Sequence, residues 1–488
     1  MKIVTVIPIS RGISKDILTY FTSKDVAVGS IVSIPLRKSK VFGLVTGSRE
    51  IKEIKSELKS LSYSIRKVEN IESHSFLSPE FLEAAGEIAD FFAGSLGATL
   101  SVLIPKFILE ESAELSFVKK MEKAGVYETL LLQSDDEERV ATYRSFIREE
   151  FAKGQSVFFC LLTNEELQNI KPILEKGIEQ FTYLLHGELA KKEVLASWKK
   201  IVGEIHPVLI LATGQYLSIP RNDYGAFIFE KESSRAYKMQ SRPFLDIRLA
   251  GQIIGKHYNS RVIFGDRLLR VETLWREKKG QYAELTPLKF RSLAGANSEI
   301  VDMPGRQDLK KKEFAILSPE LQNLLREARD KKERTFLFCG RKGLYPMTIC
   351  GDCGTVVVCK NCSAPVVLCN TKDQFGKNQN LFVCHHCGER READGLCQKC
   401  KSWKLNPLGI GLEKVAVEVE SFLSAKSESA FGGQESIIIL MDKDHVKTQK
   451  QALRARDIFY KTPGNICIGT EMALPYLNRK IENSAVVS

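Results

Sequence analysis

The sequence predicts a multidomain α/β protein, on three observations. Its 488 residues exceed what one compact core accommodates, so the chain divides into several domains. From about residue 125 to 290, buried-type strands alternate with amphipathic segments, the pattern of a mostly parallel sheet covered by helices. Strands of the same kind resume late in the chain, after an interruption holding four CxxC pairs.

Composition narrows the class of function. Hydrophobic content of 43% and charged content of 27% describe an ordinary globular protein, not a disordered one. The net charge of +11, from 71 Lys and Arg against 60 Asp and Glu, favours a polyanionic partner. No apolar run approaches the ~18 residues that span a bilayer, so no membrane partner is expected. The start, "MKIVTVIPIS", alternates like a strand and lacks the uninterrupted apolar core of a signal peptide. The expected location is the cytoplasm, where thiols stay reduced and CxxC pairs read as metal ligands sooner than as disulfides.

Residues 1 to about 70 read as short strands, "KIVTVIPI", "GSIVSIPL" and "KVFGLVTG", separated by turn residues. Arg37, Lys38 and Lys40 crowd the turn "PLRKSK" and are candidate phosphate contacts, although a solvated hairpin tip has the same composition. In "LSPEFLEAAGEIADFFAGSLGATLSVLIP", Ser78 is placed to cap a helix that opens at Pro79 and ends near Gly94, with a second short helix after it. A small helical module such as a winged helix fits this stretch. "ILEESAELSFVKKMEKAG" reads as a linker. The strands "SVFFCLL", "FTYLLHG", "PVLILATG", "YGAFIFE" and "RVIFG" follow, with amphipathic stretches such as "KKEVLASWKKI" between some of them. "GQYAELTPLKFRSLAGANSEIVDM" is a punctuated connection, and "LSPELQNLLREARDKKERTFLFCGRKG" opens a second α/β region. The cysteine segment interrupts that region before "SIIILMD" and "NICIGT" resume it.

The four pairs are Cys350/Cys353, Cys359/Cys362, Cys384/Cys387 and Cys397/Cys400. Tetrahedral Zn²⁺ takes four soft ligands, and one CxxC turn places two thiolates on one side of the ion. Four turns therefore make two closed four-cysteine sites, which leave no coordination position for a substrate and hold shape only. A redox centre needs an isolated CxxC at a helix start in a βαβ unit, and the block lacks that form. Cys369, His385 and His386 read as bystanders, as do Cys160, Cys339 and Cys467 in apolar strand-like runs.

The cysteine block with its flanks, "RKG" before it and "LGIGLEKVAVEVESFL" after it, resembles the primosomal protein N′ (PriA) family of replication-restart DNA helicases. That last stretch is similar to the family's Gly-x-Gly-Thr-Glu-(Arg/Lys)-Val segment, with Leu412 at the Thr. "GSIVSIPLRKSKVFGLVTG" resembles the family's DNA-binding β-barrel, and "LSPEFLEAAGEIADFFAGSLGATLSVLIP" its winged-helix segment. "LLHGELAKKEVLASWKKI" and "ICIGTEM" resemble stretches of the two motor lobes. The resemblance implies a small N-terminal β-barrel over 1–70, a winged-helix-like module and linker over 71–112, and two RecA-like helicase lobes. The first lobe would span 113–295 and the second would open at 296–348, with a double zinc module at 349–404 and the lobe's remainder at 405–488. It implies one zinc on Cys350, Cys353, Cys397 and Cys400, and another on Cys359, Cys362, Cys384 and Cys387. The family's Phe-Asp-Tyr falls on Leu18-Thr19-Tyr20, which makes Tyr20 a DNA-contact candidate. Implied partners are branched or single-stranded DNA, other replication-restart proteins and the replicative helicase loader.

The motor motifs depart from the family. Its phosphate loop falls on "YETLLLQSDDEER", Tyr127 to Arg139, which has no glycine, no Lys-Thr/Ser pair and four consecutive acidic residues where a triphosphate would sit. Its "DEEH" falls on Glu230, Lys231, Glu232 and Ser233: a carboxylate remains at Glu230, but an ammonium stands at the catalytic position. "GSATPS" falls on "GDRLLRVET". The chain ends soon after "GTEM", before the family's final motor motif, so the expectation is either a C-terminally shortened member or a fragment of a longer one. The resulting expectation is a DNA-binding protein of replication restart with a degenerate motor, two structural Zn²⁺ and no ATP/Mg²⁺. Two alternatives are an active ATP-dependent 3′–5′ DNA helicase with an unrecognised nucleotide site, and a scaffold that recruits proteins through the zinc module. Nucleotide binding separates the first alternative from the expectation, and DNA affinity with its salt slope separates the second.

Overall fold

The computed structural model describes residues 2–11, 17–36, 39–51, 65–73, 76–112, 115, 125–289, 297–301, 316–340, 347–350, 352–372, 378–384, 387–393, 396–397, 399–408, 411–424 and 437–487. The chain divides into two units, Met1–Gly295 and Ala296–Ser488.

The first unit begins with β1 (Lys2–Pro8), β2 (Leu18–Thr22), β3 (Ile31–Leu36), β4 (Ser39–Glu50), β5 (Arg66–Lys67) and β6 (Asn70–Ser73). They form one sheet in the order β5-β2-β1-β4-β3-β6. The alternation read in "KIVTVIPI" and "GSIVSIPL" fills a core of Val4, Val6, Tyr20, Val32, Ile34 and Val45. β3 and β4 pair as a hairpin down to Leu36↔Ser39. The two strands at opposite ends of the sheet order, β5 and β6, are consecutive in the chain. Between them, the Val68 N–H donates to Phe21 O and the Glu69 N–H to Ser33 O, both at 2.9 Å, so Arg66–Ser73 meets both edges of the sheet.

Three helices follow: α1 (Pro79–Phe91), α2 (Leu96–Leu103) and α3 (Lys106–Glu110). Ser78 caps α1 as its residue type dictates, its hydroxyl accepting the Phe81 N–H at 3.2 Å with Pro79 in the first turn. Ser95 does the same for α2. α3 occupies the beginning of the stretch expected to be a linker, because Ile108 and Leu109 are apolar enough to be buried. Residues 116–124 of that stretch lie outside the described residues.

Next come β7 (Glu128–Gln133), α4 (Asp136–Ala152), β8 (Ser156–Cys160), α5 (Asn164–Leu174), β9 (Thr182–Leu185), α6 (Lys191–Gly203), β10 (Leu209–Ala212), β11 (Tyr224–Glu230), α7 (Ile247–His257), β12 (Arg261–Asp266), α8 (Val271–Lys278) and β13 (Ala283–Glu284). The seven strands make a sheet in the order β13-β7-β12-β11-β8-β10-β9, with every pairing parallel. All seven residues of β11 are buried, which is why "YGAFIFE" is apolar without alternation. Phe158 and Phe227 point into one core while Val157, Phe159 and Ile228 point into the other. The first of these cores also contains Phe81, Ile88 and Leu100, so α1 and α2 share it with the parallel sheet. Glu87 of α1 pairs with Lys256 at 2.9 Å and His257 at 2.8 Å on α7, and Ser78 is hydrogen-bonded to Tyr258.

The second unit contains α9 (Pro319–Asp330), β14 (Thr335–Cys339), β15 (Met347–Cys350), β16 (Val367–Lys372), β17 (Asn378–Val383), β18 (Arg390–Glu392), β19 (Leu405–Leu408), α10 (Leu412–Ser424), β20 (Ile438–Met441), α11 (Gln449–Lys461), β21 (Ile466–Gly469) and β22 (Asn483–Val487). Its parallel sheet runs β20-β21-β14-β22. "SIIILMD" and "NICIGT" are strands of this sheet, as their apolar runs indicate. The edge strand β22 escaped the sequence reading because "NSAVV" is short and half polar. The cysteine insertion folds on its own small sheets, β15–β19 and β16–β17–β18, all antiparallel. Among the described residues, no helix is long and apolar enough to cross a membrane.

One pH effect arises just after β20. Asp442 Oδ1 accepts the His445 N–H at 3.0 Å and lies 2.6 Å from its Nδ1, and this bond raises the His445 pKa above its ordinary value. A raised folded-state pKa means that the pair's contribution is complete below about pH 6.5, the unfolded value, and is lost as pH rises through the folded one. The His445 ring should therefore titrate at higher pH by NMR than in Asp442→Asn. Equal midpoints would remove the ion pair from the account.

Candidate metal centre and nucleic-acid interface

β15 ends on Cys350, which pairs with Leu405 at the start of β19, so the first cysteine turn is drawn beside the last. The structure accordingly gathers Cys350, Cys353, Cys397 and Cys400 into one cluster, and Cys359, Cys362, Cys384 and Cys387 into another nested within it. In each cluster the four sulfurs lie within 4.8 Å of one another. Cys350 Sγ is 3.4 Å from Cys400 Sγ and Cys353 Sγ 3.6 Å from Cys397 Sγ; the inner pairs, Cys359–Cys387 and Cys362–Cys384, are both 3.4 Å apart. A tetrahedral zinc with Zn–S bonds of ~2.3 Å needs thiolates about 3.8 Å apart, so each cluster could hold one such ion.

The four turns share one backbone design. The N–H of the leading cysteine donates five residues on, from Cys350 to Thr355, Cys359 to Ala364 and Cys384 to Glu389 at 2.8 Å, and from Cys397 to Ser402 at 2.7 Å. The residue after each second cysteine has positive φ: 68° at Gly354, 60° at Ser363, 80° at Gly388 and 58° at Lys401. That twist returns the chain so that both sulfurs face the same point, and Ser363 and Lys401 adopt it despite the steric penalty on a Cβ. The Asn361 N–H points at Cys359 Sγ at 3.3 Å, and that sulfur in turn donates to Glu389 Oε2 at 2.6 Å. Cys160, Cys339 and Cys467 lie on core strands, where burial pushes each thiol up to about 12. Cys369 lies on β16. His385 and His386 lie outside the described residues.

The place where the family's phosphate loop would fall has a different build. β7 ends at Gln133 and α4 begins at Asp136, so only Ser134 and Asp135 connect them. Arg139, one turn into α4, reaches back across this connection. Its Nη1 donates to Ser134 O at 2.5 Å and its Nε to both oxygens of Glu230 at 3.0 and 2.9 Å. Nη2 adds bonds to Glu230 Oε1 at 2.6 Å and Asp136 Oδ1 at 2.8 Å, and the Tyr143 hydroxyl donates to Glu230 Oε2 at 2.7 Å. The Arg139 and Glu230 side chains are only 2% and 6% exposed. Burial opposes the Arg139 charge, but the Glu230 carboxylate outweighs it and raises the guanidinium pKa above its usual value.

The neighbouring positions are engaged as well. Lys231, at φ 58°, forms an ion pair with Glu166, whose other oxygen closes the capping box of α5. Glu232, fully buried, accepts the Arg270 N–H at 3.0 Å, Arg270 Nε at 2.5 Å and the Thr273 hydroxyl at 2.6 Å. The Ser233 N–H donates to Asp266 Oδ2 at 2.7 Å. Both Glu230 oxygens thus carry protein donors, and a guanidinium spans the strand-to-helix turn.

Of the candidate DNA contacts, Lys40 is exposed and pairs with Glu69 at 2.6 Å. Tyr20 is set inside the sheet, 4% exposed, with its hydroxyl donating to Pro35 O at 3.1 Å. Arg37 and Lys38 lie outside the described residues. Sequence reading missed Arg66 and Lys67, which are exposed on β5 and lie opposite Tyr20 and Phe21 of β2. Their only signal is a basic pair within the short stretch "SIRKVEN".

Residues 5–105 match the PriA 3′ DNA-binding domain family. The replication restart protein PriA of Helicobacter pylori is 23% identical over 473 residues, covering 93% of this chain and 69% of its own length. Its Bacillus subtilis counterpart is 24% identical over 405 residues, covering 77% of this chain and 48% of its own length. Among solved structures, the DUF1998 helicase MrfA bound to DNA is similar with a TM-score of 0.37 and 10% identity, covering 90% of this chain and 52% of that one. The domain match and the long curated alignments agree with each other: over most of its length the chain is similar to the PriA replication restart proteins.

Proposed function

We propose that this protein binds branched or single-stranded DNA in replication restart, and that its motor fold no longer hydrolyses ATP. The observation that carries the DNA reading is the match of residues 5–105 to a 3′ DNA-binding domain. The net charge of +11 supports it, as do the exposed Lys40, Arg66 and Lys67 on the N-terminal sheet. That sheet is read as a small barrel closed by Arg66–Ser73, followed by a winged-helix-like module through residue 112. The two parallel sheets are read as helicase lobes, the second interrupted at 349–404 by a module with two structural Zn²⁺. The Arg139–Glu230 pair supports the loss of hydrolysis, since it fills the phosphate-loop turn and engages Glu230, one of the two carboxylates that remain in the motif.

Fluorescence anisotropy on labelled forked and single-stranded DNA tests the proposal. Lys and Arg that neutralise phosphates release counterions, so affinity should fall about tenfold or more between 50 and 200 mM salt. Arg37→Ala with Lys40→Ala should weaken binding and flatten the slope. Absence of DNA binding at low salt would defeat the reading, and an unchanged slope in the double variant would move the DNA surface elsewhere.

A further inference from the structure

A groove of about 300 Å³ lies beside the outer cysteine cluster, whose Cys397 forms part of its lining. Val357, Phe382 and Leu405 form its apolar floor, Arg391 and Lys399 its polar rim, and Leu396, 62% exposed, stands at its mouth. Among the described residues, the lining contains two cations and no carboxylate. Arg391 is held in place from two sides: its Nη2 donates to Val358 O at 3.3 Å, and its guanidinium carbon sits 5.2 Å from the centre of the Phe382 ring. Its Nε, by contrast, is a buried donor without a hydrogen-bond partner. Neither Arg391 nor Lys399 is ion-paired among the described residues.

A buried N–H without an acceptor is costly and implies a partner of acceptor chemistry. A guanidinium fixed in plane suits a carboxylate in particular, because its fork matches the two oxygens. The volume admits an aliphatic or aromatic side chain beside that carboxylate, at the small end of known ligand sites. We infer that this groove docks an acidic segment of a partner protein, seating one apolar side chain on Val357, Phe382 and Leu405 while a neighbouring carboxylate bonds Arg391 and Lys399. Charge complementarity selects this occupant: the rim is cationic, the floor is apolar, and the opening is too small for more than one or two side chains. In such interfaces a few buried anchors dominate the affinity, and rim charges set specificity. The inference stands apart from the DNA reading, since it concerns a different module and a different ligand.

The test uses the full chain and a fluorescein-labelled, end-capped peptide, Gly-Asp-Glu-Leu-Glu-Gly, read by anisotropy. Saturable binding is expected, at least tenfold weaker for peptides with Ser in place of Leu or with amides in place of the acids. Lys399→Glu and Leu396→Asp, which leave all eight cysteines in place, should each weaken binding at least tenfold without changing zinc content or forked-DNA affinity. Arg391→Gln should weaken it further, and its zinc content checks that the module remains folded. The inference is overturned if the peptide fails to bind at millimolar concentration or if Lys399→Glu and Leu396→Asp bind it as well as the parent. Displacement of the peptide by a single-stranded 20-mer would also overturn it, by making the groove part of the DNA surface.

Discussion

Replacing Cys350 by serine should release the outer zinc and unfold the module around it, leaving one metal ion or none where the parent chain is expected to hold two. The size of this effect follows from the geometry. Cys350 joins β15 to the cluster, and the β15–β19 pair is the base on which the insertion stands. Among the described residues outside the clusters, Val366 and Phe382 are the module's buried apolar residues. Its stability must come chiefly from metal binding, which for structural zinc amounts to about 10–16 kcal/mol and is folding energy outright. Elemental analysis of chain purified without chelator, together with limited proteolysis between β15 and β19, reads both parts of the expectation. A parent chain with fewer than two zinc ions, or a Cys350→Ser module as protease-resistant as the parent, would refute it.

Arg139→Ala should be the most damaging single change in the first unit. It leaves the Glu230 carboxylate buried with only the Tyr143 hydroxyl as donor, and breaking a buried ion pair from one side costs about 3–5 kcal/mol. Adding Glu230→Gln removes the stranded charge, so the double variant should be more stable than the sum of the two single losses allows. Urea unfolding of the four proteins measures the cycle, and a loss below about 1 kcal/mol for Arg139→Ala would show the pair to be incidental. None of the four should hydrolyse ATP, since a restored space is not a glycine-rich nest with its Lys and Mg²⁺-holding hydroxyl. DNA-stimulated ATPase in the parent that disappears in Glu230→Gln would return the chain to the active helicases.

The four cysteine turns were legible in the sequence because their information is local: a CxxC turn sets its two sulfurs whatever surrounds it, whereas which turns share a cluster followed only from the family resemblance. The helix start at Ser78 was legible for the same reason, being a capping hydroxyl followed by proline. The buried strands could be read from apolar runs such as Tyr224–Glu230. The Arg139–Glu230 pair could not, because its members are 91 residues apart and nothing in "SDDEER" marks that arginine as turned inward. Tyr20 likewise depended on which face of a short strand meets the core, and its neighbours Leu18 and Thr22 do not settle that. The absence of a glycine-rich loop was visible in the chain; what fills its place was visible only in three dimensions.

The nesting of the cysteine turns carries a consequence for the order of assembly. The inner sulfurs of Cys359 and Cys387 are 28 residues apart along the chain, whereas those of Cys350 and Cys400 are 50 apart. Closing the shorter loop loses less chain entropy, and once it is closed the outer arms have only short spans left to bring together. The module should therefore capture metal in sequence, inner clamp before outer, and at limiting zinc its half-loaded form should carry the ion on Cys359, Cys362, Cys384 and Cys387, leaving the attachment to the parallel sheet to form last.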